Sequence, residues 1–407
     1  MKLRGSTTLL VPEIAGVGKA LLWMQVVLWL SASGNLPAQT NGLPELAKIG
    51  VTYTNYQVSQ VPWSIHIVEV SRSNPRLVPY ALHAGAGALG MAALSSQLPL
   101  VPVAQGEPVA AINGDFYLME RAFAGHPRGL QIIEGEPIST PSGGVVFWLD
   151  VFGRPQMTNV ISRFHVTWPD GSTTPFDLNG ERAQDNLELY TARLGASTHT
   201  LRGRELVLEK VDSAWLPLRM GKTYSARVRE VREGNNAPLI PDTLVLSIGA
   251  ALKSISAPAV GSVIHFSTES TPNLGGARTA IGGGSSLVHE GRKQKIQGRE
   301  EGSYEATTML ERHPRTAFGW NAKSYFLVVV DGRQKKLSAG MTLDELATEM
   351  MRLGCEEAMS FDGGGSTTLW CGGSVRNSPC DGRERPIANS LVILQKPESS
   401  KIGMVTK

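Results

Sequence analysis

Asp362 heads the turn Gly363-Gly364-Gly365-Ser366-Thr367 in the stretch SFDGGGSTTLW. A carboxylate in such a place can activate water, attack as a nucleophile or stabilise a developing cation. Three consecutive glycines cost conformational entropy, so their place beside an acid suggests a backbone that something approaches closely. Consecutive N–H groups in such a turn can converge on anionic oxygens. The turn is not a P-loop, because no lysine stands at the GxxxxGK[ST] spacing. Alone, it is equally consistent with a structural loop capped by its aspartate.

Other chemistry-bearing residues stand at the ends of apolar runs. AINGDFY offers Asn113 and Asp115, HPRTAFGW offers His313, Arg315 and Thr316, and VVVDGRQ offers Asp331 and Arg333. Asn-Gly and Asp-Gly are ordinary turn dipeptides, and His313 is as readily a surface residue. Acids and an arginine at several strand ends nevertheless resemble an assembled site, in which arginine grips phosphate or carboxylate through two parallel bonds.

The elements that must carry these residues read mostly as strands. IGVTYTNYQV and WSIHIVEVSR alternate apolar and polar positions, and PVAAINGDFY is a buried strand running into its turn. HAGAGALGMAALSSQLP has small residues at helical spacing, and RGLQIIEGEPIS reads as a hairpin turning at Glu134-Gly135-Glu136. Between about 150 and 270 strand candidates follow one another, which suggests a β-rich insertion or subdomain. RTAFGW and YFLVVVDGRQ are adjacent strands, the second apolar enough to be buried on both faces. TLDELATEMMRLG is the clearest helix, with Thr342 and Glu345 as a capping box and Gly354 as its stop. Leu343, Leu346, Ala347, Met350 and Met351 form its expected apolar face. The expected class is α+β, with mixed β-sheets and few helices.

Composition narrows the partners. Hydrophobic residues make up 42% and charged residues 18% of 407, which suits a globular chain with a sizeable core. Net charge is +3, and about +1 once the first 38 residues are set aside, so no polyanion-binding surface is indicated and nucleic acid is not an expected partner. The N-terminus sets Lys2 and Arg4, then an apolar run from Ala20 to Leu30, then small residues, in the layout of a secretory signal. A run of about eleven residues is short of the ~20 needed to span a bilayer. Export is therefore expected, to the cell envelope or beyond, without stable membrane insertion once residues 1–38 are removed. Export makes a Cys371–Cys380 disulfide reasonable, while Cys355 reads as a buried apolar residue in a helical segment. No Cys/His cluster has zinc spacing, and no resident cofactor or metal is expected.

Seven segments in this order, AINGDFY, AIGGGSSLVHEG, PRTAFGW, VVVDGRQ, SAGMTLDELATEMMRLG, FDGGGSTTL and RPIANSLVI, resemble the phosphodiester glycosidase family. The likeness covers roughly residues 107–395, loosest in the β-rich middle. It implies a catalytic domain over 107–397, preceded by N-terminal strands (39–106) that pack on it and followed by a tail (398–407). The implied activity is hydrolysis between a sugar anomeric carbon and a phosphodiester, acting on a glycosyl phosphodiester or polysaccharide in envelope or exopolysaccharide metabolism. Motif positions carried over are Asn113, Asp115, Arg315, Thr316, Asp331, Asp362, Gly363, Gly364, Gly365, Ser366, Thr367 and Asn389. A phosphate ester already leaves well, so the chief need is charge stabilisation on the phosphate. Arg315 and the N–H groups of Gly363 to Ser366 are assigned to that role. Asp362 is the first choice for activating water or steadying the oxocarbenium-like carbon, and Asp115 the second. Asn113 and Asp331 would bind sugar hydroxyls or orient those acids. Two alternatives stand beside this: a phosphodiesterase with a divalent cation on Asp115, Asp331 and Asp362, and a non-catalytic envelope glycan-binding protein.

Overall fold

Strand Ser324–Val330 is buried at every position, and the architecture follows from what covers its two faces. The computed structural model describes residues 44–398 apart from 86, 121, 212–214, 234–235, 257 and 297–307. The secretory-type segment lies outside the described residues. Seven strands form one sheet in the order Val51–Val58, Trp63–Ser71, Ser324–Val330, Arg315–Trp320, Glu357–Ser360, Ser286–His289, Arg292–Lys293. Leu327 and Val329 point to one side, into a core shared with Phe147, Phe318, Ile112 and Leu391. Phe326, Val328 and Val330 point to the other, against Leu343, Leu346, Ala347 and Met350 of helix Leu343–Arg352. A strand covered on both faces needs the continuous apolar run seen in its sequence.

A five-stranded sheet faces the first, ordered Ser374–Val375, Leu369–Cys371, Glu107–Asn113, Asn389–Gln395, Leu77–His83. The strands before residue 107 thus enter both sheets, Leu77–His83 pairing with Asn389–Gln395. A twelve-stranded sheet takes the strands of the 150–270 stretch together with Gln131–Ile133, Glu136–Pro137, Ser142–Leu149 and Thr279–Gly282. Its core is rich in aromatics, among them Phe164, Phe176, Tyr224 and Phe266. Among the described pairings only Asp177–Leu178 with Leu187–Tyr190 is parallel. The class is mostly β with few helices and mixed sheets, as expected. Among the described residues no helix is long and apolar enough to cross a membrane.

Four local readings change. The HAGAGALGMAALSSQLP stretch is helical only over Leu94–Gln97; its glycines leave the preceding chain in bends. Met351 is 36% exposed, and Glu349 takes the buried place beside Met350, its carboxylate bonded by Tyr56 and Arg352. Cys371 and Cys380 are free thiols: Cys371 is in the core on strand Leu369–Cys371, whereas Cys380 Sγ lies by Asp381. Cys355 is buried as read, but beyond the helix end.

The capping box forms in full: Thr342 Oγ1 accepts the Glu345 N–H at 3.1 Å and Glu345 Oε2 accepts the Thr342 N–H at 2.9 Å. Thr342→Ala is expected to destabilise the protein by about 1 kcal/mol, read as a lower urea midpoint with an unchanged m-value.

Candidate functional site

The three sheets meet where two glycine triplets cross between them. Residues 361–368 leave strand Glu357–Ser360 of the seven-stranded sheet and enter Leu369–Cys371 of the five-stranded one; residues 283–285 carry the chain from Thr279–Gly282 to Ser286–His289. Glycines in these crossings stand where there is no room for a side chain. A Cβ on Gly363 would lie 2.7 Å from the Pro314 carbonyl oxygen, and one on Gly282 would lie 2.8 Å from Asp115 Oδ2. The glycines serve close approach by the protein itself, which answers why an acid stands against so bare a backbone.

Asn113, at the end of strand Glu107–Asn113, holds the crossing in place. Its Nδ2 donates to the Asp362 carbonyl at 2.7 Å, and its Oδ1 accepts from Thr316 Oγ1 at 2.7 Å and from the Thr368 N–H at 3.1 Å. Asn113 and Thr316 are buried and fully engaged with each other and with the turn. Asn389 does the same for the second acid: its Oδ1 accepts the Asp115 N–H at 2.8 Å and its Nδ2 donates to Gln131 Oε1 at 3.2 Å. All three side chains orient the acids and spend their donors and acceptors on that task.

The acids come together because the Asp362 N–H donates to the Gly114 carbonyl at 3.0 Å. Asp115 is 3% exposed, and its carboxylate accepts the N–H groups of Phe116 at 2.8 Å and Gly129 at 2.7 Å. Burial nevertheless pushes its pKa up to about 7; the two N–H bonds pull the other way, and the Asp362 charge adds to the rise. Asp362 is raised as well, by burial, although the Gly363 N–H at 2.8 Å favours its ionised form. Two neighbouring carboxyls thus hold protons above the ordinary range.

Of the N–H groups expected to face an anion, Gly363 donates to Asp362 Oδ1, Gly364 to Pro314 O at 3.0 Å and Ser366 to Gly363 O at 3.3 Å. Three of the four are therefore spent. The hydroxyls of Ser366 and Thr367 are the groups left over, buried with no hydrogen-bond partner. Ser366 lies close enough to Asp362 and Tyr117 to bias both, yet meets bonding geometry with neither. Buried orphan hydroxyls are uncommon and point to a group the protein does not itself supply.

Arg315 departs from its expected place. Its Nε donates to Met341 O at 2.7 Å, and its Nη2 to Thr308 O at 2.6 Å and Glu311 O at 2.8 Å. Strand alternation explains this, since Arg315 shares the helix-side face with Ala317 while Thr316 faces Asn113. It is a buried cation with no carboxylate on it among the described residues, and burial with the nearby Arg333 pulls its pKa down to about 10. Arg333, in the left-handed region at φ 58°, reaches the turn: its Nη1 would be 3.1 Å from a Cβ on Gly364. His313 accepts from Arg333 Nε at 3.3 Å and is held below its usual pKa by burial and by both arginines. Arg385, paired with Asp381 at 2.8 Å, covers Gly365 and acts on Asp362. Arg128 is exposed, makes no side-chain hydrogen bond among the described residues and acts on both acids. Sequence reasoning passed over Arg128 and Arg385 as site residues, although Arg385 opens the motif RPIANSLVI.

Asp331 stands apart from the other two aspartates. Its Oδ2 meets His66 Nε2 at 2.8 Å, and its Oδ1 accepts the Ser378 N–H at 2.8 Å. Asn377 links it to the Thr367 carbonyl, so it braces the turn from behind. Among the described residues no three His, Cys, Asp or Glu side chains gather as a metal centre requires.

The family model for phosphodiester glycosidase matches residues 224–394, which include the turn, the Arg315 strand and Asn389. The resemblance read from the motifs is thereby supported. A curated relative, the SPbeta prophage-derived uncharacterized protein YomE of Bacillus subtilis (strain 168), is 30% identical over 122 residues, 29% of this chain and 18% of its own length. A hypothetical protein from Synechocystis superposes with a TM-score of 0.69 at 22% identity, over 88% of this chain and 64% of that one. A proposed exported protein from Burkholderia pseudomallei K96243 superposes at 0.61 and 20% identity, over 84% of this chain and 74% of that one. These structures share the fold. The chain spans under two thirds of the Synechocystis protein and about a fifth of the Bacillus one.

Because folded Asp115 holds its proton more tightly than the unfolded chain, it contributes a loss of stability as pH rises from about 4 through about 7. In carboxyl ¹³C NMR its midpoint is expected near neutrality. Asp362→Asn should move that midpoint down, because a neighbouring negative charge is removed; an unmoved midpoint would show that the two acids do not interact.

Proposed function

We propose that this protein hydrolyses the bond between a sugar anomeric carbon and a phosphodiester, releasing the sugar and a phosphomonoester. One observation carries the reading: a buried carboxyl, Asp115, and a partly buried one, Asp362, both with raised pKa values, lie beside a glycine turn flanked by arginines. The family match adds the reaction class.

The division of labour follows from the surroundings of each group. Asp362, in its ionised form, takes a proton from water as the water oxygen bonds to the anomeric carbon. The C–O bond breaks, and its electron pair leaves with the phosphate. Arg333 and Arg385, on either side of the turn, meet the charge that develops there, with the Ser366 and Thr367 hydroxyls as further donors. Arg128, near both acids, draws an anionic substrate toward them. Asp115, titrating near neutrality, holds the proton that a departing phosphate oxygen can accept. Asn113, Thr316 and Asn389 position the acids, Asp331 braces the turn, and Arg315 adds positive field from beneath it. Export belongs to the proposal too, supported by the signal-like layout of residues 1–38 and by the Burkholderia relative.

Hydrolysis of a sugar-1-phosphodiester in ¹⁸O-labelled water tests the reaction. Label in the sugar and none in the phosphomonoester is expected; label in the phosphate would place attack at phosphorus and end this reading. Asp362→Asn should lower kcat by roughly 10²–10⁴-fold with the fold retained, and undiminished turnover would remove Asp362 from its role. Arg385→Gln should cost roughly 10- to 100-fold in kcat/KM, as for a lost charge-assisted hydrogen bond.

A further inference from the structure

A polar cavity of about 350 Å³, whose lining excludes the paired acids, lies between strand Leu77–His83, the hairpin at Glu134 and the loops carrying Arg193, Arg219 and Arg278. Leu82 and Ile133 give it an apolar floor. Its polar groups are only partly spent. Arg193 is paired with Glu136 through Nε at 3.0 Å, and Tyr80 donates to Glu134 Oε1 at 3.1 Å. Arg219 reaches the Glu134 carbonyl through Nη1 alone. Arg278 is exposed and makes no side-chain hydrogen bond among the described residues. Glu134 and Gly135, both at positive φ (51° and 88°), form the two-residue turn at the hairpin tip.

We infer that this cavity is a binding site for a sugar unit bearing an anionic group, a carboxylate or a phosphate. Arg278 and Arg219 supply forked donors that match either oxyanion, and the one-net positive balance of three arginines over two glutamates favours it. The free Glu134 oxygen and the Tyr80 hydroxyl suit sugar hydroxyls, and the floor of Leu82 and Ile133 takes the apolar face of a ring. The volume suits a unit of one or two sugars rather than a lone ion. Gly129, whose N–H holds Asp115, and Glu134 are joined by roughly 16 Å of extended chain at about 3.3 Å per residue. A glycan of a few units spans that interval, so a polymer can occupy both places.

Calorimetric titration of the full chain with glucuronate, glucose 6-phosphate and neutral glucose tests the site. Saturable binding of at least one anionic sugar is expected, weakened at least tenfold by Arg278→Glu and largely kept in Arg385→Gln, with glucose binding much more weakly. Tighter glucuronate assigns a uronic-acid unit; tighter glucose 6-phosphate assigns a phosphorylated one. Binding indifferent to Arg278→Glu, binding lost only in Arg385→Gln, equal binding of glucose, or no binding of either anionic sugar at millimolar concentration each overturns the inference. Arg278→Gln repeats the test if the charge reversal disturbs folding. The readout is binding, so it stands or falls separately from turnover at Asp362.

Discussion

One buried amide underlies the arrangement. Asn113 accepts from Thr316 and from the Thr368 backbone and donates to the Asp362 carbonyl, joining the seven-stranded and five-stranded sheets at the point where the chain crosses between them. Each such bond is worth on the order of 1 kcal/mol net, but leaving a buried partner unpaired costs about 1–3 kcal/mol. The crossing is therefore held by the penalty for breaking it more than by the gain from making it. The Asp115–Asp362 pair inherits its geometry from this lock.

Electrostatics at the crossing are deliberately incomplete. Burial raises both acids, yet among the described residues neither has an arginine in direct contact; the cations stand one layer away, with Arg315 on carbonyls, Arg333 on His313 and Arg385 on Asp381. A structure built only for stability would pair these charges or omit them. Here the acids retain titratable protons and the arginines retain unspent donors, so the unmet charge is available to a ligand.

Much of the fold could be read from local patterns. The capping box at Thr342 and Glu345, the two-sided burial of YFLVVVD and the turn at Glu134-Gly135 depend on residues close in sequence, and they formed as expected. The site was legible in its members but less so in their roles. Arg315 and Thr316 are neighbours, and which of them faces the acids depends on strand parity relative to a sheet more than 200 residues away in sequence. The N–H cradle at the glycines was anticipated from conformational freedom alone, which cannot show that Pro314 and Asp362 claim those donors first. Arg128 carries no local signal that separates it from a solvated surface arginine, and Arg385 has only its place at the head of RPIANSLVI. The Cys371–Cys380 expectation failed because spacing says nothing about which face of a short strand a thiol takes.

The two glycine triplets also limit how this scaffold can diversify. Backbone and acid oxygens occupy the space where side chains would go at Gly282 and Gly363, so neither of these two positions can acquire a residue that reads a substrate. Variation in what is recognised is thereby displaced to the rim, to positions such as Phe116, which is 40% exposed beside Asp115, and to the loops of the twelve-stranded sheet. The chemistry sits in ground too crowded to mutate, and selectivity has to be drafted from its borders.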